Sequence, residues 1–312
     1  MVAVLAPLQQ WLLICGASLA VGCAAWRLFV APRAALSLPD ATRAELSSIA
    51  SRVARLGAIA AALLLVAWAL RMVAQVMAFR DPFVPLREDV SFLLFETFWG
   101  TVWMAQGVVL LLLVVAFWGA RVARSPEEPR RPSIAWWVAG ALVLALAATL
   151  ALSSHAMGVE RGRPWLVAAD ALHALTAGTW IGSLAVILGV GRGASEADGD
   201  PSAFAAQIRS FSPLALASGM TLVSMGVLLS WTHVQSFANL FGTRYGRILA
   251  AKIAVAGAVF VVGFLNWRRG VPACDRPEGA AEVRSRAAGE VFFAVGVLLL
   301  TAVLVNSPKP GE

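Results

Sequence analysis

Charge is scarce in this chain. Asp, Glu, Lys and Arg make up 14% of its 312 residues while 59% are hydrophobic, against about a quarter charged and half apolar in soluble domains. That imbalance excludes an ordinary water-soluble globule and suits a chain solvated mainly by lipid. Cysteine is scarcer still: three cannot build a disulfide framework. Cys15 and Cys23 lie in the first apolar run and Cys274 in a charged loop, so they do not settle the redox compartment. Nucleotide and hydrolase signatures are missing as well. There is no Walker A sequence and no metal-site Cys-x-x-Cys, which argues against an ATP-driven pump. There is no His-Glu-x-x-His and no nucleophile elbow, so a hydrolase has no visible basis. A single tyrosine stands against twelve tryptophans, many near the ends of apolar runs, where indole anchors at the membrane interface. The net charge of +7 does not point to nucleic acid, because the arginines sit in short segments between apolar runs rather than on one basic face.

What is present is a series of apolar runs. A spanning helix needs about 20 mostly apolar residues, and eight segments qualify: Leu8–Val30, Leu56–Met77, Phe98–Trp118, Ile134–His155, Trp165–Val190, Phe211–Trp231, Ile248–Trp267 and Val291–Asn306. The first is too long for a signal-peptide core and has no basic leader, so a retained helix is expected. The connections are short; Ser125–Pro132 and the acidic Glu196–Asp200 read as plain loops, and none is long enough for a separate domain. The expected fold class is therefore an all-α integral membrane protein of about eight transmembrane helices. It divides into a three-helix region over 1–133 and a five-helix region over 134–312.

Orientation follows from the basic residues. The odd-numbered connections and their flanks hold sixteen of them, including Arg27, Arg52, Arg121, Arg192 and Arg284, and the opposite side holds nine. The positive-inside rule then places both termini outside the cytoplasm. A short internal echo accompanies this pattern: Phe95-Glu96-Thr97-Phe98-Trp99-Gly100 precedes the third span and Phe241-Gly242-Thr243-Arg244-Tyr245-Gly246 the seventh. A polar residue, Gln106 or Lys252, follows six positions later. An offset of four helices would make two parallel four-helix halves.

Polar side chains inside lipid are costly and so raise a functional question. The three histidines, His155, His173 and His233, all fall in the outer half on this topology, with His173 roughly 12 Å inside the fifth span. Met77, Met104, Met157 and Met225 lie on the same side. Thioether sulfur suits Cu(I) and imidazole suits either copper state, although methionine is also a common filler between helices. Asp170 shares a helix face with His173. It could fix the imidazole tautomer or bind metal itself, or else snorkel or pair with Arg161 or Arg163. His155 and Met157 converge only if their helix ends at His155, which Gly158 permits. Lys252 most simply reaches the outer interface with its ammonium.

The second half resembles the copper resistance protein D (CopD) family. The resemblance rests on Asp170-Ala-Leu-His173-Ala-Leu-Thr-Ala-Gly-Thr-Trp180-Ile-Gly182, then Phe211-Ser212-Pro-Leu-Ala215, then Thr243-Arg-Tyr245-Gly246-Arg followed by Lys252 and Asn266-Trp-Arg268. It covers about residues 150–306. It implies copper uptake or tolerance, often beside a small periplasmic copper-binding protein, CopC, which would here be a separate partner. His173, Trp180 and the Tyr245-Gly246 turn carry over by position; His155 and His233 are added on depth and chemistry. The leading expectation is a copper permease that captures the ion at His155, His233 and Met157 and passes it to His173, with Asp170 beside it. A b-type haem cytochrome using His155, His173 and His233 is the alternative, and a non-catalytic assembly or sensor subunit a further one.

Overall fold

The computed structural model describes residues 2–123, 130–154, 163–234 and 236–308. Among these residues, eight helices are long and apolar enough to cross a membrane: α1 (Ala6–Leu36), α2 (Asp40–Phe79), α4 (Phe98–Val122), α5 (Ile134–Leu152), α6 (Pro164–Val190), α7 (Ser202–Val234), α9 (Arg244–Ala273) and α10 (Pro277–Val305). Two short helices, α3 (Leu86–Phe95) and α8 (Phe237–Gly242), lead into α4 and α9. The apolar flanks of the long helices are bare, with Leu63, Val66, Val115, Leu144, Val227, Val261 and Leu299 all exposed. A bundle in water would have to cover such a surface; lipid solvates it. The chain is a multi-pass, all-α membrane protein, in line with its hydropathy.

Three helices run well past the expected spans at the arginine-rich end. In α2 the extension is amphipathic: Leu46, Ile49, Ala50, Val53 and Ala54 are buried, one face of a helix. Hydropathy detects only the part that crosses lipid, so this stretch escaped the sequence reading. The extensions are tied together by polar contacts. Arg52 donates to the carbonyls of Val190 (3.1 Å) and Arg192. Glu45 accepts from the Ser195 amide (3.0 Å) and hydroxyl (3.1 Å). Arg284 pairs with Glu196 at 2.5 Å and Arg209 with Asp275. The Glu196–Asp200 stretch, expected as a plain loop, therefore begins in a 3-10 turn, Ser195–Asp198, anchored from two sides.

α1 lies at the centre and meets α6 through small residues. A Cβ on Gly22 would lie 2.1 Å from the Gly182 carbonyl carbon, and one on Gly182 would lie 1.9 Å from the Ser18 carbonyl oxygen. Ser18-x-x-x-Gly22 and Gly178-x-x-x-Gly182 are thus a small-residue crossing of the kind that lets membrane helices approach backbone to backbone. Gly178–Gly182 is also a π-helical turn, as are Trp26–Val30 and Asn266–Gly270.

The internal echo has a shared geometry. Thr97 caps α4 and Thr243 caps α9: each Oγ1 accepts from the glycine amide three residues on at 3.0 Å. Each hydroxyl also donates 2.6 Å to the carbonyl four residues back, in Leu93 and Asn239. A Cβ on Gly100 or Gly246 would lie 2.1 Å from that same carbonyl. Only glycine lets the short helix fold down onto the first turn of the long one, which is why Thr and Gly recur.

Candidate functional site

A seam of small and polar residues runs down α7 at seven-residue intervals: Ser212, Gly219, Gly226 and His233. Seven residues are about two turns, or roughly 10.5 Å, so these positions share a face. Two positions of α6 with the same spacing, His173 and Trp180, meet that face. A Cβ on Gly226 would come 3.3 Å from His173 Cε1 and 3.7 Å from Nδ1, and one on Gly219 would come 3.7 Å from the Trp180 ring. The glycines make room for the two large side chains. His173 Nδ1 is buried with no hydrogen-bond partner among the described residues, while the Leu222 carbonyl lies within reach of the same ring. A buried polar atom left alone costs about 1–3 kcal/mol, so the lone pair of this nitrogen is open to a ligand.

Charge surrounds it. Lys252 of α9 is within electrostatic reach of both His173 and Asp170. Lys252, whose ammonium the sequence suggested reaches the outer interface, stands near the carboxylate one turn from His173. This gives Asp170 a cationic neighbour in Lys252; Arg161 and the Arg163 side chain lie outside the described residues. Nearer the end of the bundle, the His233 ring meets the Tyr245 ring edge-on at 6.4 Å between centroids. His233 is thus about two turns beyond the level of His173 along α7. His155 and Met157 fall outside the described residues. Among those described, no three of His, Cys, Asp and Glu converge as a metal site.

Past Trp180 the seam opens into a cavity of about 460 Å³ between α6, α7, α9 and α10. Its walls are mostly apolar; the polar lining comes from Ser212, Ser224, Asn266, Glu290 and Trp180. Glu290 is only 4% exposed and accepts a 2.9 Å hydrogen bond from Trp180 Nε1. The sequence reading missed it because the last span was taken to start at Val291, one residue later, which left Glu290 in a loop. The helix begins at Pro277, so this carboxylate is more than three turns inside. A lone acid immediately before a long apolar run was the available signal.

Fold and site together describe a multi-pass helical membrane protein with a column of polar side chains through its second half. Comparison with known families agrees. Residues 1–163 match the model described as "Copper resistance protein D-like, N-terminal domain", and residues 205–304 match "Copper resistance protein D". The chain belongs to the copper resistance protein D family. It is also 26% identical over 222 residues to a protein of Bacillus subtilis (strain 168) named "Copper transport protein CutJ", a match covering 70% of this chain and 38% of that relative. The chain thus spans under two-fifths of the relative it matches. No solved structure matches.

Proposed function

We propose that this chain is a copper permease of a bacterial inner membrane, with the ion captured at the end opposite the arginines and passed inward along the α6–α7 seam. The observation that carries this reading is His173 Nδ1, a buried imidazole nitrogen without a partner, facing the gap that Gly226 leaves. Either copper state takes an imidazole nitrogen. Family membership and the CutJ relative supply the metal; the seam supplies a route. On the proposed orientation, with both termini periplasmic, His155, His233 and Met157 form the capture site and His173 the next station. Asp170 balances Lys252 and steadies the region electrostatically rather than ligating the ion. With no ATP motif, inward movement follows the copper gradient and the membrane potential, which is worth about 2.3 kcal/mol per charge at 100 mV. A separate CopC-like periplasmic protein would deliver the ion.

Copper accumulation by cells, with metal analysis and a visible spectrum of the purified protein, tests the reading. His173→Ala and His173→Leu should both abolish copper-dependent uptake while leaving the protein in the membrane. His155→Ala/His233→Ala should weaken binding, and Met157→Leu should impair Cu(I) more than Cu(II), because it removes the soft sulfur at nearly constant volume. Wild-type uptake by both His173 variants would overturn the proposal. An intense haem band in place of copper would favour the cytochrome.

A further inference from the structure

The large cavity is open to lipid between α7 and α9: Leu216 and Met220 of α7 and Phe264 and Trp267 of α9 line it and are exposed. Between α2 and α4 the equivalent space is filled, by Trp68 stacked on Trp103 at 3.8 Å. The opening is long and narrow. Its lining on α7 runs from Ile208 to Ser224, about 24 Å along the helix at 1.5 Å per residue. A volume of about 460 Å³ spread over that length has a mean cross-section of roughly 20 Å², a channel about 5 Å wide. An α-helix with its side chains is about 10–12 Å across, so no helix of a partner or of a second copy enters it. A single file of methylenes, whose carbon neighbours stand off at about 4 Å, does.

The walls suit hydrocarbon. Ser212 and Ser224 turn their hydroxyls back to the Ile208 and Met220 carbonyls, at 2.9 and 3.0 Å. Glu290 Oε1 accepts from Trp180 Nε1 at 2.9 Å, and as the neutral acid Glu290 needs no counter-ion. Charge is found at one end instead. α9 lines the channel with Phe260, Phe264, Trp267 and Val271, and Arg268, four residues after Phe264, continues that face. Arg268 and Arg269 are exposed, and neither forms an ion pair among the described residues. The nearby Asp275 and Glu282 are taken by Arg209 and Arg286. Trp267, beside the two arginines, carries the indole that anchors at a membrane interface. An apolar channel thus ends on two guanidinium groups at the arginine-rich rim of the bundle.

We infer that the α7–α9 channel is a binding site for an anionic phospholipid, which lays one acyl chain along the channel and sets its phosphate on Arg268 and Arg269. Guanidinium suits that headgroup, because its planar fork reaches two phosphate oxygens at once. A zwitterionic lipid offers the same chain but carries an ammonium beside its phosphate, so the arginines favour the anionic one. The bound chain would lie against Trp180 and Phe260 and supply the wall that α7 and α9 leave open. The lipid thereby completes the side of the bundle along which His173 and Trp180 lie. The site is independent of which ion the protein carries and of the direction in which it moves.

The test uses the full-length protein in phosphatidylcholine nanodiscs holding a little phosphatidylglycerol with a diazirine in one acyl chain. Light expels N2 from the diazirine, the carbene inserts into a neighbouring C–H bond, and peptide mass analysis locates the adduct. Adducts are expected within 211–224 and 259–271 ahead of the other spans. Unlabelled phosphatidylglycerol should displace the probe, and inorganic phosphate should not. Arg268→Gln/Arg269→Gln should weaken phosphatidylglycerol binding on the order of thirtyfold, about fivefold per arginine, and leave a diazirine-bearing phosphatidylcholine unaffected. Both arginines are exposed, so this pair tests the site without putting folding at risk. Ala215→Phe sets a ring into the channel and should remove the channel adducts of either probe. Adducts spread evenly over all eight spans, or equal channel labelling by the two lipids, would overturn the inference. Displacement by inorganic phosphate would reduce the site to two arginines that hold a free anion. Loss of the adducts when two copies share one disc would give this face to a second copy instead.

Discussion

Gly182→Ala places one methyl group where α1 and α6 touch, and its cost can be worked from the contacts. The new Cβ would stand 1.9 Å from the Ser18 carbonyl oxygen and 3.0 Å from Gly22 Cα. An ordinary carbon–oxygen contact is about 3.3 Å, so the two backbones must part by roughly 1.4 Å. Overpacking of this kind costs about 1–3 kcal/mol. The upper end is expected here, because both sides of the clash are main chain and no side chain can swing away. Gly257 is the control, a mid-helix glycine of α9 where an added Cβ meets nothing within 4 Å. There alanine should be neutral or better, since glycine inside a helix is worse than alanine by about 0.5–1 kcal/mol. Two identical chemical changes should therefore shift stability in opposite directions. The assay is the fraction of purified protein that stays monodisperse after stepwise heating in one detergent. A second effect follows from position. Trp180 lies in the same π turn as Gly182 and reaches Glu290 at 2.9 Å, so a displacement above about 0.6 Å would lengthen that bond past the usual limit. Gly182→Ala as stable as wild type, or a shift of the same sign in Gly257→Ala, would refute the close crossing.

Two further outcomes are expected. Thr97→Ala and Thr243→Ala each remove the hydroxyl that caps a long helix, so each should lower thermal stability by about 1 kcal/mol, while Thr→Ser at either position retains most of it; unequal losses would show that the two caps are not equivalent. For orientation, single cysteines at Ala194 and Ala238, in a background lacking Cys15, Cys23 and Cys274, should react differently with an impermeant thiol reagent. Ala238→Cys should label on intact spheroplasts and Ala194→Cys only after lysis, and the reverse would invert the assignment of both termini to the periplasm.

The parts of this molecule that hydropathy could read are those in which each residue answers to lipid by itself. The eight spans are of that kind, and so are the arginines that distinguish the two ends. The small-residue crossing is not, because Gly22 and Gly182 matter only in relation to each other and are 160 positions apart in sequence. The Thr–Gly echo is intermediate: its recurrence was visible, but the reason for it, a carbonyl pressed against the glycine, appears only once the short helices α3 and α8 are in place. His173 stood out as an imidazole deep in a span. Glu290 did not, because a one-residue difference in where a helix was taken to begin turned an acid buried mid-helix into a loop acid.

The echo also bears on where function resides. The two halves share the cap and then part company at the polar residue six positions past the glycine. In the first half, Gln106 is fully buried with neither amide atom paired among the described residues. Three residues before it, Trp103 stacks on Trp68 at 3.8 Å, and each indole donates to the other's carbonyl, at 2.8 and 3.1 Å. That interlock fills the space between α2 and α4. In the second half, Leu249 stands three residues before Lys252. Gly226 of α7 leaves a gap beside His173, and Lys252 stands near Asp170. One half closes its interior with stacked aromatics; the other keeps room beside a histidine and, one step deeper, a cavity with a carboxylate. α1, packed against α6 at Gly22 and Gly182, sets the position of the helix that carries His173 and Trp180.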